Sequence, residues 1–195
     1  YMDELVPYLL ACGFEVKRNL KERTGDRLKE AIAESNAWGA DLHYVAHTNA
    51  GGGSYSLLMV YDRGTAYGYA EKLAARRREI YSGNVKINVD TRWAELQQTV
   101  APAIYDEMVF HDNVDDITWF HGHLREMAEA TAKAICDMFG MAFVDPYAKP
   151  AEPEPPAGDI WYRVQVGAFR EKANADRLCA ELKEKGYSAY VKAGE

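Results

Sequence analysis

The sequence predicts an α/β fold, with a mainly parallel open sheet and helices on both of its faces. Three features carry that expectation. Strand patterns alternate with helical ones along most of the chain, which favours parallel strands joined by helical crossovers. Ser56 to Tyr61 is a near-continuous apolar run, as in a strand covered on both sides. Helical stripes end on glycines at Gly13, Gly39 and Gly140, where a left-handed C-terminal residue is needed.

The elements follow in order. A helix runs from Tyr1 to Gly13, and Pro7 should kink it or mark its effective start. Phe14 to Arg18 alternates like a short strand. Asp26 to Trp38 carries a helical stripe in Leu28, Ala31, Ile32 and Ala33. Asp41 to His47 reads as a strand leading into the loop Thr48 to Gly53. Thr65 to Tyr81 is helical, Asn84 to Val89 alternates like an edge strand, and Pro102 to Phe110 is a buried strand. Asn113 to Phe139 is largely helical, with Gly122 as a break.

Composition excludes some functions. A hydrophobic share of 48% and a charged share of 27% are those of an ordinary globular protein. The net charge of −7 argues against nucleic acid as a partner, since phosphates call for a basic surface. There is no run of 18 apolar residues to span a membrane, and no signal peptide is visible. Cys12, Cys136 and Cys179 lack metal-ligand spacing and read as free thiols packed as small hydrophobes.

The segment from Pro146 to Pro156 holds five of the chain's seven prolines and reads as an extended linker. The expected organisation is a main domain at 1–145, a linker at 146–159 and a small βαβ piece at 160–195. In that piece, Ile160 to Phe169 and Tyr187 to Lys192 are expected strands, around a helix from Ala173 to Lys185. So small a unit cannot bury a core alone. It is expected to be disordered, to pack on the main domain, or to pair with the same piece of another chain by strand exchange, the last being favoured because the long linker permits it.

Two residues stand out chemically. His43 and His47 lie four apart, but on a strand that separates them by roughly 13 Å, too far to share one metal ion. His47 stands at the carboxyl end of its strand, before a glycine-rich loop, where sites of open α/β sheets gather. A histidine bonded to a loop would occupy the same position, and His43 is read as structural. Glu107 sits in an otherwise apolar strand beside Asp106, and only one of the two can face a given site. Burial of a carboxylate is costly unless it is paired or metal-associated, and it raises the pKa towards a range useful in proton transfer. The alternative is a salt bridge to an arginine such as Arg18. Asn49 and the Gly51-Gly52-Gly53 loop are candidates to line a cleft, His111 is read as supporting, and His121 and His123 as solvated.

The segments Ala40 to Ala50 and Pro102 to Asn113 resemble the histidine-bearing and glutamate-bearing segments of zinc-dependent N-acetylmuramoyl-L-alanine amidases, in the same order. The resemblance covers roughly Tyr1 to Val144. It implies zinc as cofactor with His47 as one ligand, Glu107 as the catalytic acid/base, and peptidoglycan as substrate at a secreted or cell-wall location. The family's other two zinc ligands, a histidine and a glutamate, have no counterpart here and would lie upstream of Tyr1. Val109 stands where the family has glycine, and Asp106 where it has an apolar residue. Trp161 to Phe169, followed by Ala173 to Leu178, resembles the opening of a SPOR domain, a family that binds peptidoglycan glycan strands. Two rival readings are a wall-binding protein without catalysis and a different zinc peptidase of the wall.

Overall fold

The computed structural model describes residues 1–19, 27–148 and 164–193. The chain divides into two compact units, Tyr1–Tyr147 and Ala148–Glu195.

In the first unit four strands form one open sheet in the order β1-β4-β2-β3. These are β1 (His43–Asn49), β2 (Tyr55–Val60), β3 (Asn84–Val89) and β4 (Ala103–Phe110). The pairs β1–β4 and β2–β3 are parallel, whereas β2 runs antiparallel to β4. The reversal has a simple cause. β1 and β2 are joined by a loop of a few residues, and a parallel return would need a crossover of a dozen or more. β2 and β3 have such a crossover in α3 (Thr65–Arg78).

The two faces of the sheet are covered unequally. On one side lie α1 (Met2–Ala11), α3, α5 (Val114–Gly122) and α6 (Leu124–Phe139). α1 turns Leu5, Tyr8, Leu9 and Cys12 inward, at the spacing of one helical face, and these residues are buried. α6 buries nine of its sixteen residues, and it ends on Gly140 in the left-handed conformation at φ 66°. Among the described residues, the other side carries only α2 (Arg27–Trp38) and the short α4 (Ala94–Gln98). Their side of the core is a small cluster of Met59, Leu96, Ala103 and Tyr105. On this side His47, near the carboxyl end of β1, is exposed.

Several expectations need correction. α1 begins at Met2 and carries Pro7 in its interior, so the proline does not mark its start. Phe14 to Arg18 is irregular, having no neighbouring strand to take its backbone hydrogen bonds. Arg18 pairs with Asp3 at 2.6 Å, not with a carboxylate of β4. His123 is half-buried, stacked on Trp119 and hydrogen-bonded to the Trp119 carbonyl at 2.7 Å, rather than solvated.

In the second unit the expected helix forms as α7 (Lys172–Glu184), closed by Gly186 at φ +86°. The expected flanking strands do not form over their described residues, 164–169 and 187–192. A strand needs a partner for its backbone groups and a cover for its apolar face. Here α7 buries none of its own residues, and Val164 and Val166 stay exposed. The expected linker, apart from 146–148, and residues 160–163 lie outside the described residues.

Candidate active site

Strand β4 is the middle of the site, and all eight of its residues are buried. Its alternation sends Asp106 and Glu107 to opposite faces of the sheet. Asp106 enters the thick side. There Arg77 of α3 grips both carboxylate oxygens at 2.5 and 2.6 Å, and the Tyr44 hydroxyl donates at 2.5 Å. Arg77 also donates to Ser56 at 2.7 Å, and Tyr1 lies between Tyr44 and Thr131. Burial beside the Asp106 carboxylate pushes the Tyr44 phenol well above its ordinary range. This network is fully paired, as a buried charge requires.

Glu107 points to the thin side, opposite His47 in the β1–β4 register. His47 Nδ1 lies 3.5 Å from Glu107 Oε2, and that oxygen, though buried, has no hydrogen-bond partner. The Glu107 carboxyl is pushed above its ordinary value chiefly by burial, with the facing His47 opposing the rise. A buried carboxyl with a raised pKa and an oxygen without a hydrogen bond, beside the exposed His47, can take up and return a proton. His47 is half exposed, and its Nδ1 also lies 3.1 Å from the Thr48 carbonyl oxygen. Among the described residues no arginine pairs with Glu107; Arg77 of α3, the arginine that reaches β4, binds Asp106.

The glycine loop beside His47 is clasped rather than free. Asp112 accepts from the amides of Gly51 and Gly52 at 2.7 and 2.9 Å, which holds its carboxyl below the ordinary range. Asn113 donates to the Gly53 carbonyl at 3.0 Å while its own side-chain oxygen caps α5. Gly53 has its own reason to be glycine, since a Cβ there would lie 2.5 Å from the Phe110 ring. His111 Nδ1 lies 3.1 Å from the Thr48 hydroxyl, in a supporting position. Asn49 stands at the end of β1, where its side-chain oxygen accepts from the Ala50 amide at 2.8 Å.

A cleft of about 360 Å³ adjoins His47, bordered by Arg27, Leu28, Val45, Glu95 and Tyr105. His43 shares the sheet face of His47 but sits at the other end of β1, with Nε2 3.8 Å from Glu95. It does not join His47, as the strand spacing implied. Glu95 of the cleft and Arg77 behind the sheet both escaped the sequence reading. Arg77 lies in the run Arg76-Arg77-Arg78, which looks like a solvated helix end. The available signal was Asp106 itself, a second carboxylate in an apolar strand that had to find a cation.

A catalytic zinc site needs three protein ligands and an open position. His47 and the unpaired Glu107 oxygen suit one edge of such a site. No group of three His, Cys, Asp or Glu side chains is assembled among the described residues. The fit is therefore partial.

The open α/β sheet thus sets a histidine near the end of one strand beside a buried glutamate of the next. Known proteins share much of this chain. The chain is 29% identical over 185 residues to the N-acetylmuramoyl-L-alanine amidase CwlM of Bacillus licheniformis, covering 88% of this chain and 66% of that protein. It is 25% identical over 179 residues to the sporulation-specific N-acetylmuramoyl-L-alanine amidase of Bacillus subtilis, with the same coverage of 88% and 66%. The chain thus spans just under two thirds of the length of these relatives. The fold is shared with the N-acetylmuramoyl-L-alanine amidase AmiC2 of Nostoc punctiforme, at a TM-score of 0.64 and 16% identity over 71% of this chain and 79% of that one. The SPOR domain family matches residues 129–193, which takes in most of α6 as well as the second unit.

Proposed function

We propose that this chain hydrolyses the amide bond between N-acetylmuramic acid and L-alanine in peptidoglycan, at the cell wall, as a secreted zinc enzyme. The observation that carries the reading is Glu107, a buried carboxyl with one oxygen that makes no hydrogen bond, beside the exposed His47. The relatives named as amidases over most of the chain support it.

In this reading Glu107 accepts a proton from water as the water oxygen bonds to the lactyl carbonyl carbon. The same carboxyl then delivers the proton to the departing nitrogen as the C–N bond breaks, leaving a carboxylate on the sugar and a free amine on L-alanine. His47 would be one zinc ligand, and bound zinc would supply a polarised carbonyl and a water made more acidic. Asn49, at the end of β1, would border the substrate. The second unit would add grip on the wall, and its exposed Val164, Val166, Tyr187 and Tyr190 favour pairing with a second copy.

The partial metal fit favours one other reading, a wall-binding protein without catalysis. Incubating the chain with purified walls and zinc separates the two. Hydrolysis releases new L-alanine amino termini, whereas wall binding with none released would favour the binder.

A further inference from the structure

An aromatic ladder leads away from the proposed reacting pair. The His47 ring lies 5.5 Å from Tyr105, and Tyr105 lies 4.9 Å from Trp93, tilted by 35°. Tyr105 is 6% exposed, yet Trp93 at the outer end is 39% exposed. Its backbone is fixed there. Trp93 is the N-cap of α4, whose Leu96 is anchored in the core, and the Leu96 and Gln97 amides donate to the Trp93 carbonyl. The preceding turn is fixed by Arg92, which binds Asp90 through backbone and side chain.

We propose that Trp93 is a sugar-stacking subsite, taking the C–H face of a pyranose ring of the glycan strand. The inference rests on the amidase reading, which places a sugar next to the bond that is cut. An exposed indole packed against the buried Tyr105 ring offers a flat apolar face with less entropy to lose on binding than a free side chain. A pyranose ring presents a matching rigid apolar face. The peptide side of the bond is better served by the cleft at Glu95 and Arg27, where charged groups meet charged groups.

The test uses the full chain and the indole N–H resonance of Trp93, identified by its loss in Trp93→Phe. A peptide-free N-acetylglucosamine oligosaccharide should shift that resonance, and a sugar-free peptide beginning in L-alanine should not. Trp93→Ala should raise KM for purified walls about two- to tenfold, the worth of one aromatic contact, with kcat within about twofold. An indole unmoved by the oligosaccharide, or moved by the peptide alone, overturns the proposal, as does an unchanged KM. If the walls are not cut at all, the amidase reading fails, and the resonance alone decides the sugar subsite.

Discussion

Two neighbouring carboxylates on one strand meet opposite treatment. Asp106, on the thick side of the sheet, has a bidentate arginine and a tyrosine hydroxyl, and nothing about it is left open. Glu107, on the thin side, has only a histidine at 3.5 Å beside its buried Oε2, which makes no hydrogen bond. Both are buried in the same strand, so burial alone does not separate structural from reactive groups. Completeness of pairing does. A satisfied buried charge holds the fold together, and an unsatisfied one beside an exposed histidine is available for chemistry.

That contrast can be broken from the Asp106 side first. Arg77→Met leaves Asp106 buried without a counter-charge and should cost about 3–5 kcal/mol of stability. Urea unfolding of the variant would show it as a lower midpoint. A midpoint like that of the unaltered chain would mean that the thick side is not the structural one.

The Glu107 side can be tested through its partner. His47→Ala should lower zinc content after dialysis, in protein that carries zinc beforehand, while unfolding changes little because the ring is half exposed. Unchanged metal with lowered stability would make His47 a loop anchor instead.

A smaller effect concerns pH. The Glu107 carboxyl is raised in the fold, so the folded state holds its proton more tightly than the unfolded chain. Stability from this group is therefore full at low pH and lost as pH rises from the unfolded value through the folded one. Glu107→Gln should remove that loss, making the variant no less stable than the parent at neutral pH. Thermal unfolding from pH 4 to 8 would show the two curves separating in this sense.

Much of this arrangement was legible in the residues. The glycine stops and apolar stripes located the main helices, and alternation along β4 already said that Asp106 and Glu107 must part company. The strand spacing separated His43 from His47. Other parts depended on contacts that the sequence does not display. Arg77 sits among two other arginines, and only the three-dimensional approach of α3 to β4 selects it. The antiparallel pairing of β2 with β4 follows from a short loop whose consequence is visible only once the strand order is known. Glu95 and Trp93 lie at the start of a five-residue helix too short to leave a periodic signal. The tail's alternating segments have strand composition but no partner, and composition alone cannot supply one.

The central claim is that Glu107 is kept incompletely paired because it handles the proton. Turnover of Glu107→Gln on isolated cell walls, in protein shown to be folded, tests it most directly. The amide isostere fills the same space and cannot carry the proton, so the rate should fall about 100- to 10,000-fold. Turnover equal to that of the parent would contradict the account.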